Sequence, residues 1–324
     1  MKRKNFLKVI VIFMSVIAVL SGCGKKKMNI DLSNKVYNIA AGEKFTTYYP
    51  VSFAISSIEE LSQVPVKLKV IETENALKNI DMLSNGEADF IMIQNDLLDY
   101  AYNGTNVFEG KKNEKLNAIT SLYPETVQLI TKEKYPIESV GSLAGKRVSV
   151  GVKDSNTYIT VKNILTSYGV SLDDMHPKYL GIGDSVVGLI NGDIDAFFIV
   201  SSAPNDLIKK LSRQVDIKFV DISGSQVESM LQNNTFYKKT AIPKELYGTK
   251  NDINTLSVVA TLACNSSLSD EEVYNFTQNL YDNLSSMVSI TPYANAIILT
   301  NARNGITIPM HPGAEKYYKK MHIK

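Results

Sequence analysis

The sequence predicts an α/β protein of two lobes, with the second lobe inserted in the first. Strand-like apolar runs alternate with helical patterns along two separate stretches of the 324-residue chain. Such alternation implies parallel strands joined by right-handed crossovers. Two long extended stretches, at 116–131 and 255–265, are interpreted as the crossings between the lobes. The chain is long enough for two compact domains.

The first series of strands and helices runs from residue 36 to residue 102. Its predicted strands lie at 36–41, 66–72 and 88–94, and its predicted helices at 47–61, 75–84 and 95–102. Two extended runs follow at 116–123 and 126–131, and Pro124 is expected to break them apart.

The second series begins near residue 146. Its predicted strands lie at 146–152, 177–180, 196–200 and 217–222, and its predicted helices at 157–168, 185–191 and 205–211. A long apolar strand is predicted at 255–264. The capping box Ser269-Asp270-Glu271-Glu272 then opens a helix to about Asn283. One more helix is predicted near 292–300. We assign residues 36–124 plus 258–324 to lobe 1 and residues 125–257 to lobe 2.

The amino terminus predicts export and a lipid anchor. A basic start precedes an apolar run at 9–20, and the lipobox Leu20-Ser21-Gly22-Cys23 follows. We expect residues 1–22 to be a cleaved signal peptide, Cys23 to carry lipid, and residues 23–35 to form a tether. An uncleaved membrane anchor is the alternative, but a spanning helix needs roughly 20 apolar residues. The predicted location is extracytoplasmic, at the cell membrane.

Composition and motifs exclude several functions. Hydrophobic content of 44% and charged content of 21% are ordinary for a globular protein. The sequence has no basic patch, so it gives no indication of a nucleic-acid partner. The three histidines, His176, His311 and His322, lack metal-ligand spacing, and no phosphate-binding or nucleophile motif is present. We therefore expect no enzymatic activity, no cofactor and no metal. Cys264 lies in an apolar run and is expected to be a buried, inert thiol.

Polar residues follow several of the predicted strands. Ligands of open parallel sheets bind outside the carboxyl ends of the strands, so the loops at these ends are candidate sites. Helix capping alone would also explain each loop, and Thr46 or Thr47 is expected to cap the helix that follows. The candidate residues of these loops are Thr46, Thr47, Tyr48, Gln94, Asn95, Ser155, Asn156, Thr157, Ser201 and Ser202.

Two similar helix-to-strand turns occur, one in each series. They are Asn85-Gly86-Glu87-Ala88-Asp89 and Asn191-Gly192-Asp193-Ile194-Asp195. Each has a glycine where a helix ends in the left-handed conformation. We expect them to occupy equivalent places in the two lobes.

Several motifs in a fixed order suggest a family. They include Thr47-Tyr48-Tyr49-Pro50, Asn85-Gly86-Glu87-Ala88-Asp89, Gln94-Asn95-Asp96, Ser121-Leu122-Tyr123-Pro124-Glu125, Asp195-Ala196-Phe197-Phe198, Ala203-Pro204-Asn205 and His311-Pro312-Gly313-Ala314-Glu315. Through them the chain resembles the TAXI-type extracytoplasmic solute receptors of TRAP transporters, over nearly the whole mature chain.

The resemblance implies a periplasmic-binding-protein-like fold, similar to type II, that closes on a small solute. It also implies delivery of that solute to TRAP membrane permease subunits driven by an ion gradient. The solute would bear a carboxylate, as amino acids do. The implied ligand shell comprises Thr47, Tyr48, Gln94, Tyr123, Ser155, Thr157, Ser201 and Ser202.

The chain departs from the family pattern at two loops. Lys44, Phe45 and Thr46 stand where the family is usually rich in glycine, and Phe45 would intrude on the pocket or shield it. Asn156 replaces the usual glycine of the third loop. A lipoprotein that senses the same solute and signals to a membrane kinase is the alternative function, and a surface enzyme is the third.

Overall fold

A computed structural model describes residues 35–44, 46–60 and 66–323 of the chain. The strands that it describes form one mixed sheet of ten. They are β1 (Val36–Gly42), β2 (Lys67–Glu72), β3 (Phe90–Gln94), β4 (Leu116–Lys132), β5 (Arg147–Ser149), β6 (His176–Lys178), β7 (Ala196–Ser201), β8 (Ile217–Val220), β9 (Lys238–Ile242) and β10 (Ile253–Asn265).

Helices connect and cover these strands. They are α1 (Tyr48–Glu59), α2 (Ala76–Ser84), α3 (Asn95–Asn103), α4 (Asn156–Ser167), α5 (Ile182–Asn191), α6 (Asp206–Ser212), α7 (Ser225–Asn233), α8 (Lys244–Tyr247), α9 (Asp270–Asp282), α10 (Leu284–Ile290) and α11 (Pro312–Lys320). The capping box of α9 is formed by Ser269 and Glu272, as the sequence predicts.

The sheet has two sets of parallel strands, joined by two long strands. In the first strand set β1 pairs in parallel with β2 and β3, and in the second strand set β5 pairs in parallel with β6 and β7. The antiparallel pair β4–β10 lies between them, with β3 against β10 and β7 against β4. The three predicted strands of the first series and the first three of the second are confirmed as parallel. The fourth strand of the second series is present as β8, but it pairs antiparallel with β4, so its predicted parallel pairing is wrong. The boundaries of the two lobes stay a prediction.

The two recurrent turns make the same hydrogen bonds in the two strand sets. The Asp89 carboxylate accepts from the Asn38 backbone N–H of β1 at 2.8 Å, and the Asp195 carboxylate accepts from the Arg147 N–H of β5 at 2.8 Å. Gly86 and Gly192 have φ of +76° and +83°. Each turn therefore fastens the start of the third strand of its set to the first.

The prediction that Pro124 breaks the chain into two strands is wrong. β4 is continuous through Pro124, which pairs with Val259 of β10. The Val259 N–H donates to the Asn95 side chain at 2.9 Å, so it points away from β4. This pair requires no donor from proline, and the fixed φ of proline suits an extended strand.

The prediction of one helix near 292–300 is also wrong. Two short 3₁₀ turns, Pro292–Ala296 and Leu299–Asn301, replace it. The 3₁₀ helix is usual in such short connecting pieces. The sequence patterns also missed α7, α8, β9 and α10, which are short or lack a clear period.

The carboxyl-terminal motif has a structural role. His311 is buried and caps α11, because its Nδ1 accepts from the Gly313 N–H at 3.2 Å while Nε2 lies 3.1 Å from the Leu268 carbonyl oxygen. Burial lowers the pKa of His311. Tyr317 and Tyr318 pack in a buried apolar cluster with α1 and α9. The predicted burial of the Cys264 thiol is confirmed.

Within the described ranges, no helix is long and apolar enough to cross a membrane. The signal peptide, the lipobox with Cys23 and most of the tether lie outside the described residues, and so does Phe45.

Candidate ligand-binding site

A cavity of about 130 Å³ lies where the carboxyl ends of both strand sets meet. Residues at or just beyond the carboxyl ends of β1, β2, β3, β5, β6 and β7 line it, together with the first residues of α2 and α4. The ends of six parallel strands therefore converge on one space. This is the position at which open α/β sheets bind their ligands.

Eight of the eleven residues that the sequence proposes line this cavity. They are Thr46, Thr47, Tyr48, Gln94, Ser155, Asn156, Thr157 and Ser201. They come from loops of both strand sets, and the Asn156 amide donates to the Tyr48 hydroxyl across the cavity at 3.4 Å.

Three proposed residues, Asn95, Tyr123 and Ser202, are not among the residues that line the cavity, and their part in binding stays a prediction. Asn95 is buried and its amide donates to the carbonyls of Gly305 at 2.8 Å and Phe236 at 3.0 Å, besides accepting from β10. Both ends of the Asn95 amide are therefore hydrogen-bonded to the backbone. Tyr123 packs in the apolar cluster beneath α1. The Ser202 hydroxyl is buried and has no hydrogen-bond partner among the described residues.

The predicted capping by Thr46 or Thr47 is wrong as well. The Thr46 hydroxyl donates to the Glu43 carbonyl at 2.7 Å, and Thr47 makes no cap bond to α1. The Thr47 hydroxyl is instead directed to the Glu125 carboxylate, at 3.3 Å from Oε1. At the second strand set Ser155 does cap its helix, by accepting from the Tyr158 N–H at 3.2 Å.

Glu125 is the functional candidate that loop-by-loop reasoning missed. It lies in the middle of β4, it is 3% exposed, and it lines the cavity. Its Oε2 accepts from the Tyr48 hydroxyl at 2.8 Å and from Gln94 Nε2 at 3.0 Å. A useful signal was available, because Glu125 is the one carboxylate of the 17-residue strand β4.

Burial raises the pKa of Glu125 to about 7, and the bonds from Gln94, Tyr48 and Thr47 oppose that rise. Removing a carboxylate from water disfavours its charged form, whereas donors directed at it favour that form. The site therefore holds a carboxylate that titrates near neutral pH.

A family model described as the NMT1-like family matches residues 39–321. The chain belongs to the NMT1-like family. The match covers both strand sets except the first three residues of β1, and it includes the long crossing strands and every residue placed at the cavity.

Solved structures share the fold of this NMT1-like protein. One is described as an L-cystine ABC transporter from Listeria monocytogenes, with a TM-score of 0.52 and 14% identity over 82% of this chain and 98% of that chain. A Xanthomonas citri protein bound to ATP has a TM-score of 0.53 and 10% identity over 88% and 95%. The periplasmic aliphatic sulphonate binding protein SsuA from Escherichia coli has a TM-score of 0.49 and 11% identity over 89% and 94%. The predicted α/β fold of the periplasmic-binding-protein type is confirmed.

A second buried carboxylate of the NMT1-like chain lies behind the cavity. Asp96 accepts from the Thr160 hydroxyl and the Tyr237 hydroxyl, both at 3.1 Å, and from the Leu97 N–H at 2.8 Å. Burial raises its pKa to about 6, against these bonds. The Thr160 hydroxyl also lies 3.4 Å from Gln94 Oε1, so Gln94 stands between the two buried carboxylates.

The charges around the cavity have one sign. Among the described residues that line it, Glu43, Glu74 and Glu125 are acidic, and none is Lys, Arg or His. Lys44 is exposed and pairs with Glu72 at 2.8 Å instead of entering the cavity. In the part of the chain that the structure describes, no cluster of His, Cys, Asp and Glu could hold a metal ion.

Proposed function

We propose that this protein is an extracytoplasmic solute receptor, which captures a small solute between two lobes and delivers it to a membrane transporter. The cavity at the carboxyl ends of both strand sets is the observation that supports this proposal. Its polar lining would replace the hydration shell of a solute. A solute that binds better to a closed form would shift the population toward that form.

The solute is proposed to carry a carboxylate. The start of α4 supports this, because Ser155, Asn156 and Thr157 line the cavity there and α4 is 12 residues long. Free N–H groups and the helix dipole attract an anion to a helix start.

Calorimetric titration of the full chain in detergent with carboxylates and amino acids tests this part. A Ser155→Ala and Thr157→Ala double variant should weaken the affinity for any solute that binds. Ser269→Ala is the matched control, since Ser269 caps α9 in the same way but does not line the cavity. Equal affinities in the wild type and the double variant would reject the anion site at α4. If the solute is recovered chemically unchanged after the titration, the protein binds it without catalysing a reaction, as a receptor should.

The transporter is proposed to be a TRAP-type permease, with this chain as its TAXI-type receptor. The ordered motifs described above support this assignment. Reconstitution with a neighbouring permease tests it. Uptake should require an ion gradient and should continue without ATP. Uptake that requires ATP would assign the receptor to an ABC transporter, and a neighbouring kinase in place of a permease would favour the sensor.

The receptor is proposed to be anchored by lipid on Cys23. The lipobox supports this, and two acyl chains anchor a protein stably where one does not. Cells that carry Cys23→Ala and are fed a radiolabelled fatty acid should show no label in the protein, whereas the wild type is labelled. Label in the variant would place the lipid elsewhere.

A further inference from the structure

Glu125 presents a buried negative charge to the cavity without a positive partner. The side chain is 3% exposed and is not part of any salt bridge among the described residues. A buried carboxylate costs several kcal/mol unless it is paired and hydrogen-bonded.

The hydrogen bonds around Glu125 are those of an ionised carboxylate. Two hydroxyls and one amide donate to it: Thr47 to Oε1, and Tyr48 and Gln94 to Oε2. The Asn156 amide donates in turn to the Tyr48 hydroxyl, which leaves the phenolic proton directed at Glu125. A carboxylate has about four acceptor positions. Three are used, and the remaining position belongs to Oε1.

The surroundings also favour a cation. Glu43 and Glu74 line the same cavity, and no lining residue among those described carries a positive charge. Like charges in one enclosed space repel an anion and attract a cation, and the effect is strongest where water is excluded. An incoming ammonium group could fill the free position on Oε1 and neutralise Glu125 at once.

We propose that Glu125 binds a cationic nitrogen of the solute, such as the ammonium group of an amino acid, and so determines which solutes the cavity accepts. The inference rests on the proposed receptor function. It adds a second attachment point to the carboxylate site at α4. The first point, Glu125, lies on the crossing strand β4 and is bonded by Tyr48 and Gln94 of the first strand set, whereas the second point lies at the start of α4, beside the second strand set. A solute with both groups would bridge them.

The test compares amino acids with the same acids lacking the amine, by calorimetric titration of the full chain in detergent. The pairs are L-glutamate and glutarate, L-leucine and 4-methylpentanoate, and L-serine and 3-hydroxypropanoate, with putrescine as an amine without a carboxylate. At least one amino acid should bind about thirtyfold or more tightly than its partner acid, because truncating one side of a buried charge pair costs that much.

Two variants locate the effect. Glu125→Gln keeps the shape of the side chain and should abolish the preference for the amine. Glu59→Gln is the matched control, because Glu59 is a buried glutamate of α1 that does not line the cavity. It should keep the preference. If Glu125→Gln fails to fold, the comparison of paired solutes on the wild type can still overturn the proposal, because equal binding of the acids without an amine would refute it.

The outcomes separate the two proposals. Equal or tighter binding of the acids without an amine would overturn the role of Glu125 and leave the receptor function standing. A preference that survives Glu125→Gln would also overturn it. Binding of putrescine alone, lost in Glu125→Gln, would support the role of Glu125 and reject the carboxylate site. Binding of none of these compounds would reject both proposals for these solute classes.

Discussion

The pH dependence of folding provides a direct test of the buried carboxylate at the cavity. Glu125 has a pKa of about 7 in the folded protein, against an ordinary value of 4.5. Because the folded pKa is raised, the unfolded chain releases this proton first as the pH increases. The stabilising contribution of Glu125 is therefore complete below pH 4.5 and is lost as the pH rises through about 7.

The magnitude follows from the same two values. A tenfold difference in proton affinity corresponds to about 1.4 kcal/mol. The difference between 4.5 and about 7 thus predicts that the free energy of unfolding falls by about 3 kcal/mol between pH 4.5 and pH 8 on account of this group. Glu125→Gln cannot titrate, so the variant should lose about 3 kcal/mol less than the wild type over that interval.

Other groups that face Glu125 do not cancel this difference. Burial holds the pKa values of Tyr48 and Tyr123 well above 10, so both hydroxyls stay neutral throughout. Asp96, with a pKa of about 6, titrates in both proteins. Its charge repels that of Glu125, so the variant lacks this repulsion, which acts in the same direction as the predicted difference. Glu43 and Glu74, at the cavity wall, are present in both proteins.

The assay is urea unfolding of the full chain, followed by circular dichroism at pH 4.5 and pH 8. Glu114→Gln is the control, because Glu114 is exposed and Lys112 lowers its pKa, so this variant cannot reproduce the effect. If wild type and Glu125→Gln lose the same free energy between the two pH values, Glu125 is not a buried carboxylate without a partner. The inferred role in binding a cation would then lose its physical basis.

Two further substitutions test the local architecture by the same unfolding assay. Tyr48→Phe removes a donor to Glu125 and should destabilise the protein by about 1.5–3 kcal/mol at pH 8 and by less at pH 4.5, because the bond favours the charged carboxylate. An equal loss at both pH values would contradict this. Gly151→Ala should cost more than Gly145→Ala, for which a positive φ alone predicts about 1–2 kcal/mol. A Cβ at Gly151 would lie 2.9 Å from the Thr157 side chain at the cavity, whereas a Cβ at Gly145 meets nothing within 4 Å; equal costs would show that Thr157 moves freely.

The parallel strands of the fold could be predicted because their signals are local. Each strand is a short apolar run between turn residues, and the turns at Asp89 and Asp195 repeat the same chemistry. The continuity of β4 through Pro124 could not be predicted in this way. It depends on where Val259 directs its N–H, which is decided by Asn95, a residue distant in sequence.

The residues of the candidate site also differ in whether a local signal predicts them. Loop residues such as Ser155 and Gln94 were found because polar residues follow buried strands, and the fold rule then places them at one edge. Asn95 satisfies the same rule yet holds the backbone, because its neighbours Gly305 and Phe236 come from other parts of the chain. Glu125 was missed because it lies inside a strand. Only the tertiary structure shows that this part of β4 borders the cavity.

The position of Glu125 links occupancy of the cavity to the arrangement of the strand sets. β4 pairs with β10 as far as Thr126, and from Thr126 onward it pairs with β7. Glu125 thus stands next to the residue at which the crossing strand changes its neighbour. The donors to its carboxylate come from the first strand set, and Asn156 of the second reaches the same network through Tyr48. A cation bound at Glu125 therefore contacts the segment that both strand sets share. In the empty protein the buried Glu125 charge has a free-energy cost, and a bound cation would neutralise that charge. A bound solute can therefore favour one arrangement of the two strand sets over another.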